Sequence, residues 1–530
     1  MNINTFKNDI FGGVTAAIVA LPLALAFGVA SGAGAIAGLY GAIILGFFAS
    51  LFGGTSTQIS GPTGPMTVIT ASAIVTFQND LQAVFTVIFL SGLIQISFGI
   101  VKIGKWIKYI PYPVISGFMS GIGIIIIILQ INSFVGVDSY GSVIETVVNI
   151  PNTIKNIDFH SFIIASITLA IMFFTPKKIA RLIPPALIAL VFVTLLSVSM
   201  NFSISTIGEI PMGLPELVFP FSFDILKLST IITLAITLAL LGSIDSLLTS
   251  LVADSMTKTK HKPNKELIAQ GIGNSICSFF GAIPGAGATM RTVINIKSGG
   301  TTRVSGIVHS ITLLLIVLVL APFASSIPLA VLSGILIKVG FDILDYKFIR
   351  LIDKVSKQDL LVMVTVVLLT VFVDLIMAVG VGITFASIIA VYKVSKNTKI
   401  KTIYPKRESD FDIDIEDKST KIIKIKGSLF FGTASILDRR IDKVRARTKT
   451  LVLDCLEVSV LDLSAIFMLE EIITRLKNRD IEVILLLKIS DKKRVINLDR
   501  NNIFKNIKIF NKIDNAVNSI QENNYKRSPL

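Results

Sequence analysis
Two short stretches rich in Gly and Pro interrupt apolar sequence far apart in this chain. They are Gln58-Ile59-Ser60-Gly61-Pro62-Thr63-Gly64-Pro65-Met66-Thr67 and Ala282-Ile283-Pro284-Gly285-Ala286-Gly287-Ala288-Thr289-Met290-Arg291. Their lead-ins correspond too: Ser50-Leu51-Phe52-Gly53-Gly54 before the first, Ser278-Phe279-Phe280-Gly281-Ala282 before the second. At membrane depth a broken helix is tolerated only where its freed backbone groups line a cavity or are buried in protein. Two interrupted segments at corresponding places in two halves point to a transporter built from repeats, with its substrate between the breaks.

That argument needs a membrane, and composition supplies it. Charged residues make up 16% of the 530 and hydrophobic ones 52%, with mean hydropathy +0.76. Soluble domains carry about 25% charged residues, so the chain reads as a polytopic α-helical membrane protein. Fourteen apolar segments stand out: around residues 10–29, 35–52, 65–77, 84–101, 114–130, two between 160 and 200, 230–252, 267–280, 289–296, 304–323, 328–341, 360–372 and 375–392. The first follows only Lys7 and Asp9 and shows no small-residue cleavage site, so it reads as a span rather than a removed signal. Lysines and arginines cluster in the loops after segments 4, 6, 8 and 12. The other loops hold mainly Asp80, Asp138, Glu145, Asp158, Glu209, Glu216 and Asp224, with Lys155 and Lys227 as exceptions. The positive-inside rule then puts both termini in the cytoplasm of a plasma-membrane protein. The net charge of +15 follows from topology and implies no nucleic acid partner. Cys277 and Cys455 form no disulfide framework, and His160, His261 and His309 are scattered. No H-E-x-x-H, P-loop or G-x-S-x-G constellation occurs, so no enzyme is expected.

Residues 1–395 read as the transmembrane domain and the charged stretch 396–420 as a linker and domain entry. Residues 421–520 alternate strands (421–430, 450–457, 482–488) with helices (434–447, 464–477), the pattern of a small α/β domain. The polar tail 521–530 is expected to be disordered.

Two half-helices that start in mid-membrane present free N–H groups and positive dipole ends, an anion site that needs no lysine. Thr63, Gly64, Pro65 and Thr67 belong to the first; Ala288, Thr289 and Arg291 belong to the second. Thr289 reads equally as a helix N-cap, and Arg291 either reaches the anion or snorkels to the interface. Asp245 is an acid deep in segment 8, a functional candidate by default, with Thr249 one turn on. With the carbonyls around Gly287 and Ala288 and the hydroxyl of Thr289, they offer hard oxygen ligands to a small hard cation. The plainer reading of Asp245 is a structural, hydrogen-bonded aspartate. Asp254, near the end of that segment, reads as a topology or gating residue.

Gly61-Pro62-Thr63-Gly64-Pro65, Ile110-Pro111-Tyr112-Pro113-Val114-Ile115-Ser116-Gly117-Phe118 and Gly242-Ser243-Ile244-Asp245-Ser246-Leu247-Leu248 resemble the SulP anion transporters, relatives of the animal solute carrier 26 family. The likeness covers essentially the whole chain, and the carboxyl domain is similar to a STAS domain. Residues 243–249 and 284–291 look closer to the cyanobacterial sodium-dependent bicarbonate branch. The resemblance implies seven-plus-seven inverted repeats, core and gate domains, an anion between segments 3 and 10, a homodimer, and a STAS domain open to a regulatory partner. It leaves sulfate, bicarbonate, chloride and dicarboxylates as substrates. The expectation is sodium-coupled bicarbonate symport. The alternatives are a proton-coupled sulfate or dicarboxylate transporter, an anion channel or a membrane-anchored sensor; a uracil/xanthine-type permease is disfavoured by the STAS-like tail. Leu461-Asp462-Leu463-Ser464-Ala465 resembles the loop where related antagonists carry a phosphorylated serine, although Leu463 and Ala465 replace their serine and glycine. Ser464 is either a regulatory phosphosite at a positive helix end or an N-cap.

Overall fold
The computed structural model describes residues 3–527 except 79, 106–109, 140–141, 181–182, 208–216, 221–226, 374, 404–418 and 445–446. Glu209, Glu216 and Asp224 of the expected acidic loop lie outside the described residues, as does most of the expected linker. The chain divides into two compact units, 1–384 and 385–530, the division falling inside the last long helix.

The first unit contains α1 (Ile3–Ala30), α2 (Ala35–Phe52), β1 (Ser60–Gly61), α3 (Gly64–Thr76), α4 (Leu81–Ile100), α5 (Tyr112–Phe134), α6 (Val143–Val148), α7 (Ile150–Lys155), α8 (Phe159–Phe174), α9 (Lys177–Ala180) and α10 (Pro185–Ser199). It continues with α11 (Leu228–Thr257), α12 (Pro263–Ser278), β2 (Ala286–Gly287), α13 (Thr289–Lys297), α14 (Arg303–Ala324), α15 (Leu329–Ile343), α16 (Tyr346–Ile349), α17 (Lys357–Phe372) and the start of α18 (Leu375–Asn397). Each expected span falls on one of these helices. Among the described residues α1, α2, α4, α5, α11 and the 377–397 part of α18 are long and apolar enough to cross a membrane; α3, α8, α10 and the 303–319 part of α14 are apolar but shorter.

The packing pairs elements across the two halves. α4 lies against α12 as α14 lies against α2; α1 lies against α14 as α11 lies against α4; α5 packs on α17 as α15 packs on α8. α3 starts where Pro62 and Pro65 flank Gly64, with proline in the first turn, where a missing N–H costs nothing. The first break thus ends in a helix start buried in protein, whereas α13 starts with Thr289 and Met290 exposed.

The second unit holds a five-stranded sheet in the order β3 (Lys399–Ile403), β4 (Thr420–Leu429), β5 (Thr450–Leu461), β6 (Glu482–Leu486), β7 (Lys508–Phe510). β3 is antiparallel to β4 and the other pairs are parallel. Helices α19 (Phe431–Asp442), α20 (Leu463–Lys477), α21 (Ile489–Leu498) and α22 (Ile513–Arg527) complete it. Two expectations are corrected. Residues 399–403, assigned to the linker, form an edge strand, because Lys399-Ile400-Lys401-Thr402-Ile403 buries Ile400 and Ile403 and exposes Lys399 and Lys401. Residues 521–527, assigned to a disordered tail, continue α22: Ile513, Ala516, Val517 and Ile520 form one apolar face packed on the sheet, and the first helix breaker after them is Pro529.

Candidate ion site at the crossed breaks
The two breaks meet as an antiparallel pair. Ser60 faces Gly287 and Gly61 faces Ala286. The ladder continues through the N–H of Ala288, which donates to the Ile59 carbonyl at 2.8 Å, and the N–H of Ile59, which donates to Thr292 Oγ1 at 3.0 Å. Glycine is required at the crossing: a β-carbon on Gly285 would lie 2.1 Å from the Gly61 carbonyl oxygen. Because the strands run antiparallel, α3 and α13 leave in opposite directions from a shared centre. The first backbone bond of α3 runs from Thr67 N–H to the Thr63 carbonyl, and that of α13 from Thr292 N–H to the Ala288 carbonyl. The N–H groups of Gly64, Met66, Thr289, Met290 and Arg291 therefore precede the helical ladders, and both positive helix ends lie at the crossing.

The middle of α11 packs on this crossing. Thr249 donates its hydroxyl to the Gly287 carbonyl at 2.9 Å and lies 2.7 Å from Thr289 Oγ1. Ser246 Oγ accepts the Gly287 N–H at 3.0 Å. Asp245 is 8% exposed. The Thr63 hydroxyl lies beside its carboxylate, but outside hydrogen-bond geometry, and that hydroxyl is itself buried and unbonded. A buried carboxylate with lone pairs to spare, beside a threonine hydroxyl, offers hard oxygen donors suited to a hard cation. The structure brings Thr249, Gly287 and Thr289 together, with Asp245 one turn earlier on α11 and beside Thr63.

Four details of the sequence reading change. The Ala288 N–H is bonded to Ile59, so it is not a free donor for an anion. The Thr67 hydroxyl donates to the Thr63 carbonyl of its own helix at 2.9 Å. Thr289 is the first residue of α13 and not its N-cap; Ala288 holds the cap position without a side-chain bond. Arg291 does not snorkel. It is 1% exposed, and its Nη2 donates to the Pro62 carbonyl at 2.8 Å, tying the second break to the first.

A model of the sulfate permease family matches residues 6–366. This chain belongs to that family. A STAS domain model matches residues 413–516, so the second unit is a STAS domain on a membrane-embedded permease. The bicarbonate transporter BicA of Picosynechococcus sp. is 44% identical over 91% of this chain and 89% of its own. A putative sulfate transporter of Bacillus subtilis, YvdB, is 35% identical over 90% and 91%. The solved transmembrane domain of a cyanobacterium bicarbonate transporter BicA matches with TM-score 0.67 and 50% identity, covering 72% of this chain and 99% of that one. Murine Slc26a9 in the inward-facing state matches with TM-score 0.85 at 21% identity, over 97% and 91%, a likeness of fold. These relatives are transporters of anions and not enzymes.

In the STAS domain, Ser464 is exposed in the first turn of α20. It is not the N-cap: Asp462 holds that position and accepts the Ala465 N–H at 2.7 Å.

Sequence reasoning missed the residues that hold the crossing in place. Asn274 brackets Gly285, accepting its N–H at 2.9 Å and donating to its carbonyl at 3.0 Å. Glu266 is 1% exposed. Its Oε2 accepts the N–H groups of Gly54 and Thr55 at 2.8 and 2.9 Å; its Oε1 accepts Gln58 Nε2 and Gln270 Nε2, both at 2.9 Å. Glu266, Gln270 and Asn274 recur every four residues, a polar stripe along α12 that was available as a signal.

Proposed function
We propose that this permease is a sodium-coupled bicarbonate symporter. The observation that carries it is Thr249 bonded to the Gly287 carbonyl and Thr289 hydroxyl at two converging helix starts, with buried Asp245 one turn earlier on α11: oxygen donors for a cation share their backbone with an anion-attracting centre. A cation there cancels the charge of Asp245, which otherwise repels an anion in a low-dielectric setting, so each ion favours the other. The names of the 44%- and 42%-identical relatives support bicarbonate as the anion.

The exchanged packing, α4 on α12 and α14 on α2, fits seven-plus-seven inverted repeats making fourteen crossings with core and gate domains. The loop charges support cytoplasmic termini in a plasma membrane. A homodimer, and a STAS domain that adjusts flux through a regulatory partner or phosphorylation at Ser464, complete the reading. The second reading is a proton-coupled sulfate transporter, for which the name of the 35%-identical putative sulfate transporter supports the anion.

Uptake of labelled bicarbonate and labelled sulfate into proteoliposomes, with and without an inward sodium gradient, decides between them. Sodium-driven bicarbonate uptake is expected. Sulfate uptake driven by a proton gradient establishes the second reading. Anion flux without cation coupling makes the protein a channel, and no flux makes it a sensor.

A further inference from the structure
We propose that Glu266, on a helix that contributes nothing to the ion pocket itself, is the positioning residue that sets the geometry of the cation site. The inference rests on the sodium-coupled reading above.

The path runs through Gln58. Its amide nitrogen donates to Glu266 Oε1 and its amide oxygen accepts from Ser250 Oγ, each at 2.9 Å. Ser250 sits on α11 one residue beyond Thr249 and one turn beyond Ser246. Ser250 Oγ is also 2.8 Å from Thr55 Oγ1, in the same loop whose N–H groups Glu266 holds. The side chain of Gln58 is seated directly against Gly287: a β-carbon there would lie 2.2 Å from Gln58 Nε2 and 2.6 Å from its Cδ. The amide is thus wedged between α12, α11 and the strand that presents the Gly287 carbonyl. Glu266 thus holds Gln58, which takes the Ser250 hydroxyl proton and packs on Gly287, while Ser246 and Thr249 hold the N–H and carbonyl of Gly287.

Glu266 does more than fill space. Each Glu266 oxygen accepts two N–H groups, so Gln58 turns its NH2 toward α12 and its oxygen toward α11. That fixes Ser250 as a donor to Gln58. Glutamine at position 266 has the same shape but presents an NH2 group of its own, so the polarity of the chain is no longer dictated. No described ion pair involves Glu266; its two oxygens are met by four N–H donors. An interior acid so fully occupied binds no ion itself, which separates its role from that of Asp245.

The test is uptake of labelled bicarbonate by the full-length protein in proteoliposomes, titrating sodium at saturating bicarbonate and bicarbonate at saturating sodium. In Glu266→Gln the sodium half-saturation should rise about tenfold or more, the usual effect of losing an outer partner of an ion ligand, with maximal uptake largely restored at high sodium. Ser250→Ala, a smaller change at the other end of Gln58, should shift sodium in the same direction and decides the matter if Glu266→Gln does not fold. An unchanged sodium half-saturation with only a lower maximal rate in the folded variant overturns the inference and leaves Glu266 a scaffold residue. If the unmodified protein shows no sodium dependence, the coupling reading fails and this inference with it.

Discussion

Thr249 donates its hydroxyl to the carbonyl of Gly287 across 2.9 Å, tying the middle of α11 to the second break. The same oxygen lies 2.7 Å from the Thr289 hydroxyl, and Thr249 is wholly buried. Thr249→Val keeps the shape and removes the hydroxyl, leaving a carbonyl and a hydroxyl without their partner. An unsatisfied buried group costs about 1–3 kcal/mol, and about 1.4 kcal/mol is a factor of ten in affinity. The sodium half-saturation of uptake should rise at least about tenfold in this variant, while Thr249→Ser stays near the parent. Equal behaviour of the two variants removes the hydroxyl from the cation site.

Asp245 differs from Glu266 in having a carboxylate that the described residues leave without a hydrogen bond. Asp245→Asn is nearly isosteric and removes the charge a cation needs. The variant should insert and purify as a monodisperse protein yet lose sodium-dependent uptake altogether. Sodium-driven uptake at the parental rate in Asp245→Asn rules out a cation bound at this carboxylate.

Gly285 tests the crossing itself. A β-carbon there meets backbone, 2.1 Å from the Gly61 oxygen and 2.3 Å from its carbonyl carbon, and backbone does not step aside as a flexible side chain does. Overpacking of this kind costs about 1–3 kcal/mol or more and pushes the two helix starts apart. Gly285→Ala should therefore lower uptake more than about tenfold. Gly380→Ala, where an added carbon meets nothing within 4 Å, should leave uptake and expression unchanged. A fully active Gly285→Ala protein means the close approach of the breaks is dispensable.

Arg291 separates charge from packing. Arg291→Met keeps much of the buried volume without charge, and Arg291→Lys keeps charge without the planar fork that reaches Pro62. If the guanidinium serves the anion, the bicarbonate KM at saturating sodium should be raised most by Met and less by Lys. An equal effect of both assigns Arg291 to holding the Pro62 carbonyl.

What was legible in the sequence follows from what each signal depends on. The breaks were legible because Gly and Pro inside apolar runs are costly whatever the tertiary fold. Their pairing through Ser60 and Gly287 was not, since a two-residue ladder has no periodicity of its own. Asp245 stood out against an apolar helix. Glu266 did not, because Lys262-Pro263-Asn264-Lys265-Glu266 reads as a charged loop until Gln270 and Asn274 are seen to continue its face. Thr289 looked like an N-cap because its residue type favours that position; in the fold its hydroxyl is engaged by Thr249, a partner 40 residues earlier. Ser464 was displaced from its cap by Asp462 two residues earlier, a shift within the uncertainty of helix ends. The strand at 399–403 was hidden by its own lysines, which cover an exposed edge.

The STAS domain carries an acid-sensitive contact that tests its sheet register. Glu457 on β5 accepts from Lys424 at 2.6 Å and lies 3.0 Å from Lys426, both on neighbouring β4. Lys424 first, and then Lys426, hold its carboxyl down to about 2, below the ordinary 4.5. A carboxyl whose folded value is depressed contributes stability that is present above its unfolded value and is lost as pH falls through the folded one. The contact should therefore be fully present at neutral pH and fade between about 4.5 and about 2. Its size is limited by solvent screening, because the Glu457 side chain is 39% exposed. Hydrogen-exchange protection of residues 450–461 in the purified full-length protein, compared at each pH with Glu457→Gln, reads the contribution directly. At pH 7 the variant should exchange faster than the parent, and the difference should close as the pH approaches 2. A difference that persists undiminished at pH 2 means that Glu457 acts through shape and hydrogen bonding rather than charge, and a variant identical to the parent at pH 7 means that the two lysines are not its partners.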